Sequence, residues 1–261
     1  TASTVGGTLN ATATTGNMTD SGVLTIAGTS SFTTSANNAD ITLNNTNAFA
    51  GAVALNTTGS TGHATIDNGT TALNIAASSV GGNLNLTSGN SITDSGTVTV
   101  GGNLIATTDA NNGVINLGTL AVDGTVQLTT NGNGAATVVN DARLDFAAST
   151  VGGNLAATAT TGNIVDSGVL TVTGTSSFTT SQNNADIYLN NTNAFTGAVS
   201  LNTTGSSGHA IVDNGITALN LAASSVGGYL TLTSGHASGI IDSGTVTVGG
   251  SLIATTDANN G

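Results

Sequence analysis

The chain has 261 residues and a net charge of −12, yet only 5% of its residues are charged, and it contains 37 glycines but no proline, cysteine or tryptophan. A lysine-free surface with Arg143 as its single strong base cannot neutralise phosphates, which excludes nucleic acid and anionic membrane surfaces as partners. No run of about 20 apolar residues exists to span a bilayer as a helix, while 38% hydrophobic residues with so little charge is the reverse of a disordered composition.

In chain order, a glycine repeatedly precedes a short apolar strand: Gly7, Gly28, Gly51, Gly82, Gly102 and Gly124, then Gly153, Gly174, Gly197, Gly228 and Gly250. The second and fourth residues after each glycine form inward pairs, Leu9/Ala11, Ser30/Phe32, Val53/Leu55, Leu84/Leu86, Leu104/Ala106 and Val126/Leu128 in the first series. Alternation with a period of two is the strand signature. Large Phe32 follows small Ser30, the volume compensation that close packing demands. At the fifth residue nine of eleven positions are Thr, with Asn56 and Asn202 the exceptions. Two further strand candidates follow in each unit, for example Ser91-Ile92-Thr93 and Thr97-Val98-Thr99-Val100, separated by Gly, Asn and Asp turns. No capped helical pattern interrupts them. Spacings of 20–23 residues, broken by longer ones of 29–31, predict an all-β parallel β-helix of about 11 coils with three short strands each.

A longer period overlies the coils. Gly28 to Phe49 recurs as Gly174 to Phe195 with 20 of 22 positions identical, an offset of 146 residues that a two-residue insertion near His236 later shifts. After the insertion Asp94 matches Asp242 and Gly113 matches Gly261. The expected organisation is one solenoid over 1–261, with a first repeat of six coils over 1–148 and a partial second over 149–261. Solenoids need atypical capping repeats at their ends; none is visible, so the chain reads as a fragment of a longer array. In a stack each side chain sits above its near-copy. Like charges about 4.8 Å apart repel by roughly 0.9 kcal/mol even in water, which explains neutral Thr, Ser and Asn at the surface.

The residues offer little chemistry. Arg143 occurs once, the second copy stopping before its counterpart, and the carboxylates lie in turn-like contexts such as Asp67-Asn68-Gly69 and Asp109-Ala110-Asn111-Asn112-Gly113, or in the Asp-Ser-Gly turns at Asp20, Asp94, Asp166 and Asp242. A glycan lyase needs a base and a hydrolase needs paired carboxylates; neither set is evident. The calcium-loop patterns are missing. His63, His209 and His236 follow or lie near glycines without Cys or Glu and read as exposed turn residues. The expectation is no catalytic, cofactor-binding or metal site. The Thr column is too irregular in its flanking positions for an ice-binding array, and the Asn-x-Thr sequons at Asn10, Asn17, Asn44, Asn56 and Asn85 are a poor guide in so Asn- and Thr-rich a chain.

Val80-Gly81-Gly82-Asn83-Leu84-Asn85-Leu86-Thr87, and the run from Asp94 through Val98 and Val100 to Leu104, resemble the repeat region of filamentous-haemagglutinin-type exoproteins of Gram-negative bacteria. The resemblance implies right-handed β-helical fibres, two-partner secretion to the extracellular cell surface, and a role in adhesion or biofilm contact. Its partners would be further repeats at both ends and a host or neighbouring-cell surface. The residues themselves suggest a stiff structural stalk, with about 29 Å added per six-coil repeat. The alternatives are a self-assembling filament or sheath, with outward Ile105 and Ile253 as lateral contacts, and, more weakly, a carbohydrate-active β-helix.

Overall fold

The computed structural model describes residues 1–256, and among them every regular element is a β-strand, paired in parallel with a strand one coil away. The pairings form three faces per turn. Contacts divide the chain into two compact units, Thr1–Gly132 and Asn133–Gly261, whereas the sequence repeat restarts at about residue 149. The match of Gly113 with Gly261 ends outside the described residues.

In the first unit, one face is built from Leu9–Ala13, Ser30–Asn37 and Val53–Thr58, stacked in that order. A second face carries six rungs: Met18–Thr19, Ile41–Leu43, Ala64–Asp67, Leu84–Ser88, Leu104–Asn111 and Thr125–Asn131. The third begins with Ser3–Val5, Leu24–Ile26 and Ala48–Phe49. Inward positions are buried as the alternation predicts: Leu84, Leu104, Val126 and Leu128 are fully buried, with half-buried Asn85, Thr87, Ile105 and Thr107 between them on the outer face. Ser30 sits on Leu9 and beneath Val53, while Phe32 sits between Ala11 and Leu55, so volume is balanced between rungs as well as within a strand. Phe32 meets Phe49 edge-on at 5.6 Å between centroids.

Coil length is more uniform than the glycine spacing implies. Along the second face, Met18 pairs with Ile41, Ile41 with Ala64, Ala64 with Leu84, Leu84 with Leu104 and Leu104 with Val126, so every step has the length of the shorter glycine spacings. No coil spans the whole interval from Gly51 to Gly82, where the sequence predicts a long one. Above Val53–Thr58 lies not the next glycine-led strand but the pair Leu73–Ile75 and Ser78–Val80. The strand that follows Gly82 stacks instead on Ala64–Asp67. The glycine-led strand has therefore moved from the first face to the second. The long interval is one side of a coil, Val53 to Ala64, followed by one full turn, Ala64 to Leu84.

The second unit repeats the design. Leu155–Ala159, Ser176–Asn183 and Val199–Thr204 share one face. Leu144–Phe146, Ile164–Asp166, Ile187–Leu189, Ala210–Asp213, Leu230–Ser234 and Leu252–Thr256 make six rungs of another. Again the glycine-led strand changes face, after Gly197.

Candidate functional site

The carboxylates are braces between coils more than members of local turns. Asp94 accepts the Gly118 and Thr119 N–H groups and the Thr119 hydroxyl at 2.7–3.0 Å, all from the coil above. Asp166 accepts the Asn190 and Asn191 N–H groups and the Asn193 amide at 2.7–3.2 Å, and Asp20 accepts the Asn45 N–H and the Asn47 amide. Asp67 and Asp213 do make the local turn read from the sequence, each accepting the N–H of the glycine two residues on. Arg143 pairs with Asp145 at 2.9 Å. Among the described residues no cluster of three or more His, Cys, Asp or Glu could hold a metal ion.

Two polar devices lie inside the coils, where sequence reading placed only turns. Thr34, Thr108 and Thr180, all fully buried, donate to the carbonyl five residues on. Each latches the chain as it leaves a long strand. Fully buried Asn68 donates to the Phe49, Thr71 and Ala72 carbonyls and accepts the Phe49 N–H; Asn214 repeats all four bonds.

A third device runs up the outside, just before each second-face rung. In the first unit Asn17 Oδ1 accepts the Asp40 N–H, Asp40 Oδ1 the His63 N–H, His63 Nδ1 the Asn83 N–H, Asn83 Oδ1 the Asn103 N–H and Asn103 Oδ1 the Thr125 N–H, at 2.8–2.9 Å. Every step joins one coil to the next through a side-chain acceptor. His63 is thus a member of a ladder rather than a loose turn residue, whereas His236 does close a local turn, accepting the Ser238 N–H at 3.0 Å.

In the second unit the ladder starts the same way, with Asn163 accepting from Asp186 and Asp186 from His209, but at the position of Asn83 stands Tyr229. His209 Nδ1 accepts the Tyr229 N–H at 3.0 Å and its ring stacks on the Tyr229 ring, with centroids 3.7 Å apart and planes at 16°. Tyr188, where the first repeat has Thr42, donates its hydroxyl to Asp186 Oδ2 at 2.8 Å. Burial first, then the Asp186 hydrogen bond and the neighbouring Tyr229, push the Tyr188 phenol above its ordinary range, so it stays protonated. These are the chain's only two tyrosines. The outer residues beside them change in the same sense: Thr19, Thr42 and Thr65 of the first unit become Val165, Tyr188 and Ile211, on three successive rungs. The signal was present in the sequence, since Tyr188 is one of two changes in the match of Gly28–Phe49 with Gly174–Phe195, but the pairing of Tyr229 with it needs the coil register.

The chain matches the family described as Repeats of unknown function (DUF5649) over residues 1–56, 61–117 and 133–202, well over half its length. It belongs to the DUF5649 repeats. No curated protein and no solved structure matches the chain. Set on the fold, the DUF5649 segments are blocks of constant phase. The first holds the glycine-led strands after Gly7, Gly28 and Gly51 on one face, and the second holds those after Gly82 and Gly102 on the next. The glycine-led stretches from Gly7 to Gly82 and from Gly82 to Gly153 together make up the long repeat.

Proposed function

We propose that this chain is a structural spacer, a segment of a stiff extracellular stalk whose DUF5649 repeats set how far a distal domain stands from the cell. The observation that carries this reading is the side-chain ladder. Asn17, Asp40, His63, Asn83 and Asn103, residue types that elsewhere perform chemistry, are each bonded to the backbone of the next coil. The buried Asn68 and Asn214 hubs and the Asp94 and Asp166 braces serve the same end. Such an arrangement resists bending and sliding of coils and leaves few reactive groups on offer.

The test is dimensional. Chains carrying one, two and three long repeats, measured by small-angle scattering or electron microscopy, should lengthen in equal steps of roughly 30–35 Å per repeat, given 146 residues at 20–23 residues per coil and about 4.8 Å per coil. Particles that thicken rather than lengthen would remove the spacer reading. Adhesion and two-partner secretion rest on the resemblance of the Val80–Thr87 and Asp94–Leu104 segments to filamentous-haemagglutinin repeats. They predict the parent protein at the cell surface, which protease shaving of intact cells would reveal.

A further inference from the structure

We infer that Tyr188, His209 and Tyr229 form a binding site for a neutral saccharide, with the Tyr229 ring as the platform for a pyranose. The first unit provides the reference, because its interior and turns are nearly the same while its surface here is Thr42, His63 and Asn83. Replacing the ladder residue Asn by Tyr gives up an acceptor. Asn83 receives the Asn103 N–H, but no side chain among the described residues receives the corresponding Ser251 N–H. The change gives up one acceptor of the ladder and lays a half-exposed aromatic ring over His209 on the outside of the coils.

The groups around the ring are fixed in ways that suit a sugar. His209 Nδ1 is held as an acceptor by the Tyr229 N–H, so the ring proton sits on Nε2, which has no partner among the described residues. Asp186 is oriented by the His209 N–H at 2.7 Å and the Tyr188 hydroxyl at 2.8 Å, and a carboxylate has further lone pairs for sugar hydroxyls. One face of Tyr229 lies on His209, and the next rung carries only the small Ser251 at this position. Val165 and Ile211 flank Tyr188 along the outer column and supply an apolar shoulder. A pyranose presents just this pairing of an apolar C–H face and hydroxyl edges, and Tyr combines an apolar body with a polar tip. The ligand is neutral because the chain has a net charge of −12 and its one strong base, Arg143, is paired with Asp145. Sulfated or uronic glycans would meet repulsion and no counter-charge.

The test uses the intact chain. With two tyrosines and no tryptophan, all of its tyrosine emission comes from this site. Titration with neutral hexasaccharides of β-1,4-glucose, β-1,3-glucose, N-acetylglucosamine, mannose and xylose should give a saturable change in emission with at least one, and calorimetry should give the affinity. Tyr229→Asn and Tyr188→Thr install the residues that the first unit already carries, so the coil is kept, as thermal melting would verify. Tyr229→Asn should weaken binding by about tenfold or more, and Tyr188→Thr by less. The inference is overturned if no hexasaccharide binds at millimolar concentration, if Tyr229→Asn binds as tightly as the parent, or if heparin binds in preference to the neutral sugars. It is also overturned if sedimentation shows self-association that Tyr188→Thr abolishes, which would make the patch a contact between copies of the chain. None of these results touches the spacer reading, whose test is length.

Discussion

Asp166 shows how a single residue is set by its place between coils. It is buried, with 7% of its surface exposed, and burial raises its pKa even though Asn193, Asn191 and Asn190 all donate to it and pull the other way. A folded pKa above the unfolded value of about 3.9 means that the folded chain binds more protons than the unfolded one between those two values. In that window stability falls as pH rises, and the penalty is complete above the raised pKa. The parent should therefore lose stability relative to Asp166→Asn as pH is raised from about 4 towards neutrality, in paired denaturant titrations across pH. A flat difference would show that Asp166 is not shifted. None of this was legible in the sequence, where Asp-Ser-Gly reads as a turn. The partners Asn190, Asn191 and Asn193 lie 24–27 residues away, and only the coil register brings them together. Buried Asn68 escaped for the same reason: Asn before Gly is a turn signal, and its four bonds are to chain segments on both sides of it.

At the scale of the strand and its turns, the inward pairs were legible because a two-residue alternation is a local property that burial enforces rung by rung. The length of a coil was not. It depends on which strand stacks on which, and glycine spacing alone cannot tell a longer coil from a change of face. The glycines do report where coils meet most closely. A Cβ on Gly81 would run into the Gly59 carbonyl oxygen of the coil below, whereas one on Gly118 would find only Asp94 Oδ1, 4.0 Å away. Gly81→Ala should therefore destabilise the chain by about 1–3 kcal/mol, as overpacking does. Gly118→Ala should be neutral or gain up to about 1 kcal/mol from the stiffer unfolded chain. Chemical denaturation of the two variants side by side distinguishes these outcomes. Equal effects would mean that coil contact does not govern glycine use.

For the molecule as a whole, the near-absence of charge follows from stacking, and one of its consequences is measurable. Trypsin has a single strong target, after Arg143. The Arg143 carbonyl accepts a bond from the Asn140 amide at 2.9 Å, and the next N–H, that of Leu144, donates to the Asn163 carbonyl. Cleavage needs such bonds to open locally. The folded chain should survive a trypsin treatment that cuts the denatured chain once, into one piece ending at Arg143 and one beginning at Leu144. Rapid cutting of the folded chain would mean that the coil at Arg143 opens far more readily than its bonds imply.

The migration of the glycine-led strand from one face to the next has a consequence for how such chains diversify. A leaf on a stem is set at a new bearing from the one below it, and so does not shade it. In the first unit, corresponding positions of successive DUF5649 blocks likewise look out in different directions, because each block starts one side further round. A gene that lengthens by copying whole blocks thus points each new copy of a surface residue towards a different side of the stem. A substitution such as Asn to Tyr at one block can then acquire a ligand without the neighbouring block crowding it.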